Sequence, residues 1–537
     1  YMLRQRLKNH TSMTDGVLWS AQADFVARLA DWESDADPLW PLQRAERSAL
    51  LTLNVPHFVS PSDGSEICDA GGISVPTAAI SGLDRARARA AGLDAQEIAW
   101  QVEVIRHNTS SLAKAGISAG VAAPDDIRAD AAGAPAEEIF AAEADRIAAE
   151  IGRQAIRRGP GAAWIGLDWL GDSEVFQLVC LGPELYNGVS GIALFLAAHA
   201  QVTGSALSRE LALAGLARLR KTLRGRNAPR LARSLGIGGA AGLGSIAYAL
   251  TVISKSLRDD ALLADAQAVA EQFTDDLIAA DQRLDVIGGS AGAILGLLRL
   301  HRDTGSAEVL GRALKCGEHL MMQSRIGPEG RRSWVGQGFG PHPLNGMSHG
   351  AAGFAYALAS LAAATGREDF AAAAAECIAF EDSSYDPARH NWPDLRWGGE
   401  PTWPCQWCHG APGIGLARLA TAKRGSVDAR LLDDDARNAV AGVEHGWRGL
   451  VDTLCCGSLG SIEFFSAAGD ALARGDLREL ASRRLLAVLR AAAARGDYRW
   501  NSGKGRFNLG LFRGLAGVGY TALRRLDGSL PNVVIWE

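Results

Sequence analysis

The chain lacks a surplus of positive charge. Its 55 lysines and arginines are outnumbered by 60 aspartates and glutamates, a formal charge of −5, which removes the electrostatic basis for binding DNA or RNA. Long apolar runs are missing as well. Mean hydropathy is close to zero, and the runs break off well short of the roughly 18 residues that cross a bilayer, so membrane insertion is not expected. Cysteine is scarce, eight in 537 residues, too few for a disulfide scaffold. The opening Tyr1-Met2-Leu3-Arg4 shows no secretion signal of basic start and apolar core. A reducing, cytoplasmic setting is expected, where clustered cysteines are metal ligands or reactive thiols. The chain does not open on methionine, so an upstream part is expected to be missing. Phosphate signatures are absent too: there is no Gly-x-x-x-x-Gly-Lys-Ser/Thr loop and no kinase-like set of glycine loop, lysine and catalytic aspartate.

At about 150 residues per domain the length suits three or four domains, or one large repeat toroid that absorbs most of them. Residues 1 to 110 are rich in tryptophan and carry helical signals. Asp15 is placed to cap a helix from Val17 to Leu29, and Ile98 to Ile105 repeats the three-to-four apolar spacing. Between them, Leu50 to Pro56 predicts a short extended or turn segment, because Pro56 forbids helix continuation. Residues 119–137 collapse to Ala, Gly, Pro and Asp and predict a linker.

What is abundant is glycine, 62 residues in all. Beyond the linker a Gly-x-x-Gly element enters an Ala/Leu-rich helical run seven times. Its first glycines are Gly188, Gly239, Gly289, Gly350, Gly410, Gly457 and Gly514, at intervals of 51, 50, 61, 60, 47 and 57 residues. Each interval holds two helices and their loops, which predicts a helical repeat with loop insertions on one face. If the ring closes, the seven helix starts point at one central region. Gly236 to Ala241 also fits a loose dinucleotide fingerprint. It follows a basic helical run instead of a strand, so it is read as a repeat element.

Chemistry concentrates at these helix starts. Trp407-Cys408-His409-Gly410 enters the fifth repeat and Leu454-Cys455-Cys456-Gly457 the sixth. Thiolates at matching positions of adjacent repeats can converge on one zinc ion, which takes about four tetrahedral ligands. Three thiolates with an open fourth position make a catalytic site. Cys405 forms a Cys-x-x-Cys with Cys408, so a closed structural site or a redox pair is the rival reading. The remaining Cys68, Cys180, Cys316 and Cys377 are read as small buried hydrophobes. His349 and His409 each stand immediately before a repeat glycine and are candidates for moving protons near neutral pH. Asp285, four residues before Gly289, either orients a histidine or substrate, or caps the helix. For a sugar-cleaving toroid the only carboxylate pair to nominate is Asp285 and Glu463, and nothing in the sequence pairs them.

The elements Leu185 to Gly191, Asp285 to Gly289, Ser348 to Gly350, Trp407 to Gly410 and Cys455 to Gly457 resemble, in order and context, the lanthionine cyclases over roughly residues 137–537. The resemblance implies an α/α toroid of seven inner and seven outer helices around one zinc. Cys408, Cys455 and Cys456 would be its ligands, and His349, His409 and Asp285 the catalytic residues. Many cyclases have a histidine at the position of Cys456, so this looks like a three-cysteine variant. An arginine that some stand-alone cyclases carry falls at Pro404 here, leaving that role unfilled.

Asp15 to Ser20, Leu39 to Arg47 and Asn54 to Phe58 resemble the end of the dehydratase domain of class II lanthipeptide synthetases. The implied division is a kinase-like dehydratase remnant over residues 1–115, a linker over 116–136 and a complete cyclase domain over 137–537. ATP and magnesium belong to a full-length synthetase, so dehydration of serine or threonine is not expected here. The implied reaction joins a cysteine of a leader-bearing precursor peptide to a dehydroalanine or dehydrobutyrine. The thiol, about 8.5 in pKa when free, joins the zinc, loses its proton and adds to the β-carbon, and His349 or His409 protonates the enolate. A membrane exporter complex is a further expected partner. The alternative reading is a zinc-stabilised α/α toroid that binds peptides without turnover.

Overall fold

A helix apolar on every side has no face for solvent and persists only when other elements surround it. Seven such helices follow the recurring glycines: Val189–Thr203, Leu243–Leu257, Ser290–Thr304, Ala351–Thr365, Ala411–Ala422, Ser458–Ala471 and Leu515–Leu526. In the fourth, every residue from Ala351 to Ala362 is buried. The first six are each followed by an outer partner: Ala206–Leu223, Asp260–Glu271, Ala307–Gln323, Glu368–Asp382, Ala429–Gly446 and Gly475–Arg495. These have one buried stripe, as in Gly475–Arg495, where Leu477, Ala481, Leu485, Val488 and Ala492 recur three or four apart. The seventh outer position is filled by Ala136–Arg153, which packs on the last inner helix. That inner helix also packs on the first, so the ring closes into an α/α toroid.

The structure is a computed structural model that describes residues 42–75, 80–109, 135–169, 176–396, 400–447, 449, 451–500 and 507–537. The chain forms two compact units, one within residues 1–109 and one, the toroid, within 110–537. The first unit holds the helices Leu42–Leu51, Gly82–Ala91 and Ala95–Thr109 and a three-stranded antiparallel sheet of Phe58–Val59, Ile67–Asp69 and Ser74–Val75. Ser81 caps the second of these helices, accepting from the Asp84 amide. Leu50 and Leu51 finish a helix instead of opening an extended segment; Pro56 restricts only its immediate neighbour, and the chain turns at Thr52 and Leu53. The expected Val17–Leu29 helix and residues 119–134 of the expected linker lie outside the described residues, and Ala136 already begins a helix.

The segments that lead into the inner helices form a second, inner circuit of backbone hydrogen bonds. Tyr186 N–H donates to the Ala240 carbonyl (3.0 Å), Ala240 to Ile287 (3.1 Å), Val286 to Ser348 (3.2 Å) and Ser348 to Cys408 (3.2 Å). Cys408 donates to Cys455 (3.2 Å), Cys455 to Phe512 (3.1 Å), and Phe512 back to Tyr186 (2.9 Å). Buried amides need partners, and here each turn satisfies the next. Residues two before each helix-capping glycine are thereby brought to neighbouring points on one circle. The middle of the ring is filled by Val533–Trp536, all buried. Trp536 packs against Tyr248, Trp407 and Phe512, and its Nε1 donates to the Gly239 carbonyl at 2.8 Å.

The second repeat departs from the expected register. Its helix is capped by Gly242, not Gly239, so the motif there is Gly242 followed by Ser245. Gly239 holds the position occupied elsewhere by Leu185, Val286, Met347, Trp407, Leu454 and Leu511. A Cβ on Gly239 would lie 2.6 Å from the Gly292 Cα, so this glycine lets two turns touch backbone to backbone. The scattered cysteines also divide. Cys316 and Cys377 are buried as expected, but Cys68 is half-buried and Cys180 is exposed at the end of the edge hairpin strand Phe176–Cys180.

Candidate metal and acid–base site

The fifth and sixth helix starts carry the sulfur cluster. Cys408 and Cys455 are consecutive members of the hydrogen-bonded circuit, and Cys456 follows directly. The Sγ atoms of Cys408 and Cys456 are 3.7 Å apart and those of Cys455 and Cys456 3.4 Å. All three sulfurs lie within 4.8 Å of one another. These separations are too long for a disulfide, about 2.05 Å, and close to the roughly 3.8 Å that two ~2.3 Å bonds at a tetrahedral angle impose. The donor set therefore fits a zinc ion. Hydrogen bonds from Cys408 and Cys455 hold the Cys456 thiol far below its ordinary value, the same contacts raise Cys408, and burial pushes Cys455 up to about 12. Cys405 is not part of the cluster: it faces Gly446 at the end of an outer helix, where an added Cβ would meet its Sγ at 3.2 Å.

Gly410 makes the fifth turn tight enough for this. Its φ of +102° is strained for any residue with a side chain, and a Cβ there would meet the Pro404 carbonyl. The preceding residue, His409, is 1% exposed. Its Nδ1 is 4.0 Å from Asp394 and its Nε2 3.4 Å from the Ser348 hydroxyl. Burial, then Arg396 and His349, push its pKa down to about 3, leaving the ring neutral. His349 stands one turn earlier in the ring and is more open, its side chain 16% exposed. Its Nδ1 is 2.6 Å from Asp285 Oδ2, and its ring centroid is 5.7 Å from that of His409. The other Asp285 oxygen accepts from the Gly288 amide at 2.7 Å, so Asp285 braces its own turn and contacts the histidine. It does not cap the helix, whose Ser290 amide donates to Asp281 at 2.7 Å.

The family model described as lanthionine synthetase C-like protein matches residues 180–536. The chain belongs to the lanthionine synthetase C-like family. Among solved structures, nisin cyclase is similar in fold, with a TM-score of 0.54 at 15% identity, covering 74% of this chain and 98% of that one. An unsaturated glucuronyl hydrolase specific for heparin (TM-score 0.37, 13% identity, 67% of this chain and 98% of that) is more distant. So is a sugar epimerase from a ruminal bacterium (0.39, 11%, 74% and 100%). No curated protein matches the sequence.

Four residues beside the site of this lanthionine synthetase C-like chain escape sequence reasoning. Arg513 donates to the Tyr186 hydroxyl at 3.0 Å and favours ionisation of Cys455 and Cys456. It occupies the same pre-glycine register as His349, His409 and Cys456, so aligning the repeats would have found it. Tyr186 likewise shares the register of Cys408 and Cys455. Asp394 and Arg396 come from the long loop before the fifth inner helix and follow no repeat. Burial opposes ionisation of Asp394, but hydrogen bonds from Arg396, the closest at 2.6 Å, hold its carboxyl below the ordinary value. Glu463 does not pair with Asp285. It is buried against Arg524 and Arg525 of the last inner helix, so the sugar-cleaving reading loses its second carboxylate.

Proposed function

We propose that this chain is a lanthionine cyclase, closing thioether rings by adding peptide cysteine thiols to dehydroalanine or dehydrobutyrine. The observation that carries the reading is the trio of sulfurs within 4.8 Å, set in the same ring of helix starts as an aspartate-held histidine. Cys408, Cys455 and Cys456 would hold one zinc, whose chemistry when bound is Lewis acidity that keeps a substrate thiol ionised near neutral pH. Arg513 and Arg396 temper the negative charge that sulfur gathers there. In the addition, the substrate sulfur bonds to the β-carbon and the alkene's π electrons pass to the α-carbon as an enolate. His349 returns a proton to that carbon through Nε2, since Asp285 occupies Nδ1. The thiol's proton is lost and the α-carbon gains one, so mass is unchanged. His349 is the donor of choice over His409 because it is the more exposed of the two.

By the same reading, residues 1–115 are a dehydratase remnant, 116–136 a linker and 137–537 the cyclase of a class II synthetase. Its partners are a leader-bearing precursor peptide and an exporter complex. The reading places its action in the cytoplasm; among the described residues no helix is long and apolar enough to cross a membrane. The test is to load the chain with zinc and give it a dehydrated precursor peptide. Free thiols should disappear with no change in peptide mass. Tight peptide binding with every thiol still free would overturn the reading in favour of a peptide-binding toroid.

A further inference from the structure

The inner helices end in a cationic cavity at the face opposite the cysteines. Fifteen-residue helices rise about 22 Å, and the cavity sits at their C-terminal ends. It measures about 350 Å³ and is lined by Arg299, Arg302, Lys423 and Arg424 with Tyr356 and Glu537. A second lobe of about 310 Å³ shares Arg299, Arg302, Tyr356 and Arg424 and adds Ser360. Cations are favoured at helix C-termini, which accounts for isolated basic residues there. It does not account for guanidiniums crowding one another: besides burial, Arg299 and Arg424 lower the pKa of Arg302.

The nearby carboxylates are held by cations other than Arg302 and Arg424, among them Arg299 and Lys423 of the cavity wall, and Arg299 also donates to the Glu537 backbone oxygen. Asp303 is bound by Lys255 (2.6 Å) and Arg299 (2.7 Å), and Glu537 by Lys423 (3.2 Å). Among the described residues Arg302 makes no hydrogen bond or ion pair. Arg424 reaches only the Tyr356 hydroxyl, at 3.4 Å, and its buried Nε has no partner. Ser360, 5% exposed, also lines the cavity with an unpartnered hydroxyl. Buried donors without acceptors are costly, and guanidiniums with a hydroxyl lining one cavity are the donor types that oxyanions accept.

We propose that this cavity binds a small multivalent oxyanion of phosphate type, with Arg302 and Arg424 as its principal ligands and Ser360 as a further donor. The site is separate from the sulfur cluster and independent of the cyclase reading. The experiment is calorimetric titration of the full chain with inorganic pyrophosphate and with inorganic phosphate at fixed ionic strength. One pyrophosphate per chain is expected, with affinity weakened at least tenfold in Arg302→Gln and in Arg424→Gln and unchanged in Arg430→Gln, an exposed arginine on an outer helix. The phosphate arm separates a single-phosphoryl site, where both anions bind alike, from a diphosphate site. Arg302 is exposed at the mouth, so its variant keeps the test sound if Arg424→Gln fails to fold. Absence of saturable binding, or equal affinity in Arg302→Gln, overturns the proposal.

Discussion

On the proposed reading, in which Cys408, Cys455 and Cys456 hold zinc, Cys456 sets the charge of the metal site. Three thiolates on a dipositive ion leave a net −1, against zero when a neutral histidine takes one place. Extra negative charge leaves more electron density on an incoming sulfur. Cys456→His is therefore expected to keep zinc but to close rings more slowly, most of all onto dehydrobutyrine. Single-turnover rates with matched dehydroalanine and dehydrobutyrine peptides check this, and equal or faster rates in the zinc-loaded variant would contradict it. Cys408→Ala and Cys455→Ala should each lose most bound zinc, whereas Cys405→Ala, whose sulfur faces Gly446, should retain it; metal analysis of the purified variants decides. Asp285→Asn removes the anion that orients His349. Its expected cost is on the order of 10²-fold or more in ring closure, the scale of a displaced general acid, with zinc content unchanged.

At the scale of one element, the second glycine of each repeat does more than start a helix. A Cβ on Gly413 would lie 1.8 Å from the Trp407 carbonyl, and equivalent contacts recur at Gly292 against Val286 (1.9 Å) and Gly517 against Leu511 (2.0 Å). Because the obstacle is backbone, Gly413→Ala must push the turn that carries Cys408 and His409 away from its helix. Lower thermal stability and reduced zinc occupancy are expected together. Gly425 makes the useful contrast: it has φ +70° but open space around it, so alanine there costs only the left-handed penalty, about 1 kcal/mol, and spares the metal. Thermal melts paired with zinc analysis separate the two effects.

Across the whole toroid, a buried charge cluster ties the fourth and fifth repeats. Arg418 pairs with Glu381 (2.9 Å), Asp382 (3.0 Å) and Asp435 (2.6 Å). Glu381 also accepts from the Gly346 amide at 2.7 Å and so steadies the turn that bears His349. One cation cannot offset three anions. Burial, with Asp435 and Glu381 and against Arg418, pushes Asp382 up to about 7. A folded pKa above the unfolded ~3.9 means its contribution is fully present below about pH 4 and is lost as pH rises through about 7. Asp382→Asn is expected to gain stability relative to the parent at pH 7.5 compared with pH 4.5. Chemical denaturation at the two values tests this; an unchanged difference would contradict it. Trp536 joins distant repeats by filling the middle of the ring, and Trp536→Ala should cost about 3–5 kcal/mol, measurable in the same experiment.

Short-range information was enough to determine six of the seven helix starts, the apolar inner helices and three thiols in matching repeat positions, because glycine spacing and side-chain periodicity are local properties of the chain. It also singled out Asp285, His349 and His409 by their places before repeat glycines, and the fold brings these three side chains near one another. Tertiary structure alone decided the register of the second repeat, where Gly239 and Gly242 are equally good helix starts until Gly292 packs against one of them. It decided that His409 is sealed while His349 stays open, since exposure depends on the loop that brings Asp394 and Arg396 over the fifth turn. It also decided the closure. The first outer helix, Ala136–Arg153, completes the last repeat, and Phe512 bonds back to Tyr186. Contacts between residues hundreds of positions apart leave no periodic trace in the sequence, because each is selected by the geometry of a closed ring and not by its own neighbours along the chain.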